Sequence, residues 1–89
     1  MVDEQYEQEN AEQLLSLVEE YTNSEDKSES NKKIFELSDE LYNKNRDRLS
    51  QPMIDVSLAL YSFTEAAMSG GPLQPLDEFI PDLKAILTS

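Results

Sequence analysis

Carboxylates are the only abundant chemically capable side chains in this sequence, at 19 Asp and Glu among 89 residues, with no histidine and no cysteine. Without these two, the usual general base near neutral pH, the thiol nucleophile and the common zinc ligands are all missing. The adjacent pairs Asp3 with Glu4, Glu19 with Glu20 and Asp77 with Glu78 could in principle hold a metal or divide acid and base roles. Neighbours on a helix diverge by about 100°, however, so such pairs read as solvated faces. The run Ser24 to Ser30 lacks the alternating acids, central glycine and closing glutamate of a calcium loop. Gly70 and Gly71 are the only glycines and follow no strand pattern, so no phosphate cradle is present. Asp55-Val56-Ser57-Leu58 is not the Asp-Ser-Leu attachment site of an acyl carrier, because Val56 interrupts it. The expectation is a binding protein without a cofactor or metal, not an enzyme.

Charge narrows the range of partners. The formal net charge is −12, and it is uneven: ten acids against Lys27 give −9 over residues 1–29, and nine acids against six bases give −3 over residues 30–89. Binding nucleic acid through phosphate, or simple attraction to an anionic membrane, requires clustered Lys and Arg. Neither fits an acidic chain, so no nucleic acid partner and at most peripheral membrane association are expected. Lys32, Lys33, Lys44, Arg46 and Arg48 do gather on or just after one segment, where pairing with Glu36, Asp39, Glu40 and Asp47 is expected to absorb them. The start MVDEQYEQENAEQ has neither a basic end nor an apolar run, and no stretch approaches the length of a membrane span. With cysteine absent as well, a cytoplasmic protein is the expectation.

Residues that bind must be positioned by helices, because the apolar spacing is helical throughout. Ala11, Leu14, Leu15, Val18 and Tyr21 mark a first helix over about 4–22, whose first few residues lack apolar partners and are expected to fray. The polar stretch TNSEDKSESN, residues 22–31, reads as a loop. Ile34, Phe35, Leu37, Leu41 and Tyr42 form a second helix over about 31–45. Ser50 and Pro52 are a helix start signal for a third over about 51–69, with Ser50 expected to accept a capping bond. Its apolar residues spread well beyond one face, so it is expected to be the most buried. Gly70, Gly71 and Pro72 end it. The fourth, about 76–88, carries Leu76, Phe79, Ile80, Leu83, Ile86 and Leu87, and Pro81 requires it to begin near Asp77 with a bend or to start at Pro81. Four helices with short connections in one domain, 1–89, predict an all-α, antiparallel up-down-up-down four-helix bundle. Tyr6, Tyr21, Tyr42 and Tyr61 fit core positions with wetted hydroxyls, and Leu73 stands as an apolar residue in a turn.

The stretches NKKIFELSDELYNKNRDRL, QPMIDVSLALYSFTEA, the turn SGGPLQP and LDEFIPDLKAIL follow one another in an order that resembles the immunity proteins of pediocin-like bacteriocins, the enterocin A immunity family. The resemblance covers about two thirds of the chain, from Asn31 onward. It implies a cytoplasmic four-helix bundle in a Gram-positive bacterium, protecting the cell from a small cationic peptide. The partner it implies is the toxin-engaged membrane receptor, the mannose phosphotransferase permease, with specificity in the C-terminal half. Carried onto this chain, the contact surface becomes Ser69, Gly70, Gly71, Pro72, Leu73 and Gln74 together with Lys84, Thr88 and Ser89 at the end of the fourth helix. The competing class is an acidic helical inhibitor or adaptor, antitoxin-like or a nucleic-acid mimic, that binds a basic protein.

Overall fold

The computed structural model describes residues 1–88 and is all-helical, with four α-helices and no strand among the described residues. Helix α1 spans Glu4–Asn23, α2 Ser28–Asp39, α3 Gln51–Met68 and α4 Phe79–Thr88. A π-helical turn, Glu40–Lys44, and a 3-10 turn, Arg46–Arg48, join α2 to α3. The helical spacing read from the sequence reappears as a shared core. Leu14 of α1, Ile34 of α2, Leu60 of α3 and Leu83 of α4 are each wholly buried, and each stabilises the fold by about 1.5 to 3 kcal/mol through its removal from water. Helix α1 packs against α2 and α4, and α2 against α3, while α3 packs least extensively against α4. No helix among the described residues is long and apolar enough to cross a membrane.

The helix ends show where local sequence acts and where distant residues override it. Asp3 caps α1 by accepting a bond from the Tyr6 amide at 3.1 Å and also pairs with Arg48 at 2.9 Å. The Asp3 amide in turn donates to the Arg48 carbonyl at 2.8 Å, so the expected fraying gives way to a start tied to the α2–α3 connection. Both carboxylate bonds favour the ionised form, and the hydrogen bond from Arg48 does most to lower the Asp3 pKa from its ordinary value. The Arg48 guanidinium also lies 3.7 Å above the Tyr6 ring.

The loop expected over residues 22–31 is much shorter, since α1 runs on to Asn23 and α2 begins at Ser28. Lys27 donates to the carbonyls of Tyr21 and Ser24, each at 2.8 Å, and so satisfies the end of α1. Ser30 and Asn31, polar residues in that supposed loop, are buried, and Asn31 donates to the Thr64 carbonyl of α3 at 3.1 Å. Ser50 stands at the start of α3 but its side chain makes no capping bond. The Ser50 backbone amide instead donates to Glu7 of α1 at 2.6 Å, which ties the start of α3 to the first helix. The observed ion pairs also differ from those expected around α2: Lys33 pairs with Glu29 and Arg48 with Asp3.

The two starts considered for the fourth helix give way to one between them. Helix α4 begins at Phe79, after amide bonds from Phe79 to Leu76 and from Ile80 to Asp77, both at 3.1 Å. Pro81 thus falls in the first turn, where its missing N–H would have had no intrahelical partner, and no bend is needed.

Helix α3, expected to be the most buried, has two sides. Met53, Val56, Leu60 and Thr64 face the core, whereas Leu58, Phe63 and Met68 remain 38 to 49 % exposed. Phe63 reaches Phe79 of α4 at 6.0 Å between ring centroids, and Tyr61 stacks between Phe35 and Tyr42 of the α2 arm at 5.5 and 6.5 Å. A hydrogen bond to Glu65 raises the Tyr61 pKa most, with desolvation and the Asp39 charge acting in the same direction. Of the four tyrosines, only Tyr21 sits in the core.

Candidate partner-binding surface

The hairpin Ser69 to Gln74 is built by its two glycines. The Gly71 amide donates to the Ala66 carbonyl at 2.9 Å and the Gly70 amide to that of Ala67 at 3.3 Å, the paired bonds of a Schellman cap. Gly70 has φ +100, a conformation that costs a side-chain-bearing residue about 1 to 2 kcal/mol. A Cβ on Gly71 would lie 2.8 Å from the Ala66 carbonyl oxygen. Both positions therefore require glycine, one for its dihedral and the other for close approach.

All six residues from Ser69 to Gln74 are exposed, and Leu73 is 44 % exposed at the tip. The far end of the hairpin is nevertheless fixed, because the Tyr21 hydroxyl at the end of α1 donates to the Gln74 carbonyl at 2.6 Å. Tyr21 is 1 % exposed, and burial raises its pKa above the ordinary tyrosine value. An exposed loop held at both ends is preordered and would lose little conformational freedom on binding.

The eight described candidate residues do not form one patch. Lys84 is exposed midway along α4, and Thr88 is exposed at its C-terminal end, with its hydroxyl bonded to the Lys84 carbonyl at 3.1 Å. Ten residues of helix span about 15 Å, so Thr88 lies near the opposite end of the fold from the hairpin. Ser89 lies outside the described residues. The hairpin is thus one surface and the end of α4 another.

That second end contains a feature the sequence reading missed. A cleft of about 370 Å³ opens where the start of α1, the first half of α3 and the second half of α4 meet. Pro52, Val56, Ala85 and Ile86 supply its apolar lining, and Glu7, Asp55 and Asp82 its carboxylates. The surplus apolar residues of α3 were the available signal, but they read as burial because the shortness of α4 was not evident. No group of three acidic side chains among the described residues is placed to hold a metal ion.

Compared with protein-family models, curated proteins and solved structures, the chain matches none.

Proposed function

We propose that this protein is an immunity protein of the pediocin-like bacteriocin type. It acts in the cytoplasm of a Gram-positive cell, binds the toxin-engaged mannose phosphotransferase permease, and protects the cell without catalysing a reaction. The observation that carries the reading is the exposed Ser69–Gln74 hairpin, capped by two glycines and held by Tyr21. It provides a specific, preordered surface in the C-terminal half of a four-helix fold. The antiparallel up-down-up-down arrangement belongs to the same proposal. Supporting it, the Tyr6 hydroxyl near the start of α1 accepts from Asn45 beyond α2 at 3.0 Å, Asn31 early in α2 bonds Thr64 late in α3, and Tyr21 late in α1 bonds Gln74 just before α4.

The test is survival of a sensitive Gram-positive strain expressing the chain when pediocin-like peptides are added outside. Protection against one or a few is expected, and exchange of Ser69 to Gln74 for the hairpin of another such protein should alter that pattern with an unchanged melting temperature. Sensitivity to every peptide at good expression would overturn the immunity role. Protection indifferent to the exchange would remove the hairpin as its recognition surface.

A further inference from the structure

The cleft at the other end of the fold has a chemistry of its own. Pro52, Val56, Ala85 and Ile86 give it an apolar floor, and Glu7, Asp55 and Asp82 line it with no basic residue among them. Glu7 and Asp55 already accept bonds, from the Ser50 amide at 2.6 Å and the Gln51 amide nitrogen at 2.8 Å. Asp82 is exposed on α4. Along α3, Pro52, Val56, Ala59 and Phe63 share one face over about 16 Å, or three helical turns, with the buried Val56 and the half-buried Ala59 between the exposed Pro52 and Phe63. At the far end of this seam Phe63 borders a second recess with Asp77 and Glu78.

These features select among occupants. An anionic ligand would meet carboxylates at both ends of the seam. A wholly apolar helix would bury the floor but strip water from those carboxylates without compensation, which is costly. The carboxylates are not gathered closely enough for a metal ion. A segment with apolar side chains on one face and Lys or Arg beside them satisfies floor and rim together, in the helix-in-groove mode. We propose that the α3–α4 cleft docks a basic amphipathic helical segment of a protein partner, with its apolar face on Pro52, Val56, Ala85 and Ile86 and its bases against Asp55, Asp82 and Glu7. This surface is independent of the hairpin and of the immunity reading, so either can fail alone.

The probe is a fluorescein-labelled peptide of about 15 residues with Leu on one helical face and Lys on the other, titrated with the full chain at 0.15 M salt, where charges more than about 8 Å apart are largely screened. Saturable binding is expected. The double variant Asp55→Asn, Asp82→Asn should weaken it about tenfold, the sum of two rim pairs. Glu19→Gln with Glu20→Gln removes the same charge about 18 Å along α1 from Glu7 and should change affinity less than about twofold. Ala85→Trp, at an exposed position, should block binding by filling the cleft. Methyl NMR of the unaltered chain supplies a readout free of folding effects: Val56 and Ile86 resonances should shift on peptide addition and that of Leu73 should not. Absence of binding, equal weakening by the two double variants, or unshifted Val56 and Ile86 methyls would each overturn the proposal.

Discussion

Replacing Tyr21 with Phe isolates the one bond that ties the hairpin to the first helix. Phenylalanine keeps the ring in its buried site and under the Lys27 ammonium, which lies 5.3 Å from the ring centroid. What is lost is the hydroxyl and its 2.6 Å bond to the Gln74 carbonyl. Gln74 is exposed, so its carbonyl regains water in the variant, and the cost is the net value of a hydrogen bond, about 0.5 to 1.5 kcal/mol, rather than that of an orphaned buried group. For a domain of this size a loss of about 1 kcal/mol lowers the melting temperature by roughly 4 to 8 °C. The alkaline limb provides a second reading. Burial raises the Tyr21 pKa above 10.0 in the folded state, so its contribution is fully present below the unfolded tyrosine pKa and is lost as pH rises through the folded one. Tyr21→Phe should therefore lose less stability than the parent above about pH 10, while Tyr61, also raised, contributes equally to both. Urea titrations and thermal melts at neutral pH and across the alkaline range measure both effects. A variant within about 0.3 kcal/mol of the parent, below the value of a working bond, and with the same alkaline decline would refute the hairpin tether.

Ser57 carries a buried hydroxyl with no hydrogen-bond partner among the described residues, so Ser57→Ala is expected to be neutral or to raise stability by up to about 1 kcal/mol; a clear fall in a urea titration would contradict this. Gly71→Ala should destabilise strongly, because its Cβ meets the Ala66 backbone at 2.8 Å. Gly70→Ala, which meets no neighbour but holds φ +100, should cost only about 1 to 2 kcal/mol, and equal melting temperatures for the pair would count against the cap geometry. The lowered Asp3 pKa means that its contribution is present above the unfolded carboxylate value and is lost as pH falls through the folded pKa. Asp3→Asn should therefore show a shallower loss of stability in thermal melts below about pH 4, and an unchanged acid limb would show that the Arg48 pair contributes nothing.

The helical class was legible because apolar residues recur every three or four positions within each segment, as Ala11, Leu14, Val18 and Tyr21 do on the buried face of α1. The hairpin was legible for the same kind of local reason, since Gly70 is needed wherever a Schellman cap is formed. Features that depend on another helix were not. The start of α2 was misplaced because Ser30 and Asn31 look solvated in sequence, yet both are buried, and Asn31 bonds a carbonyl 33 residues away. The bond from the Ser50 amide to Glu7 spans 43 residues, and neither residue advertises the other. Lys84, Thr88 and the hairpin were grouped as C-terminal, yet nearness in sequence along a helix becomes distance in space.

One geometric mismatch underlies much of what the sequence concealed. Helix α3 has 18 residues and α4 only 10, lengths of about 27 and 15 Å. The shorter helix cannot cover the full apolar width of the longer one, and the result is visible at both ends of their seam: Phe63 is 38 % exposed beside the hairpin, and Pro52 is exposed at the cleft. Folding accounts for part of this apolar character, since Pro52 starts α3, Ala59 packs against the core and Phe63 meets the Phe79 ring. What remains uncovered is the exposed side of Pro52 and Phe63, beside Asp55 and Asp82 at one end of the seam and Asp77 and Glu78 at the other. The proposed basic amphipathic partner would supply the missing cover.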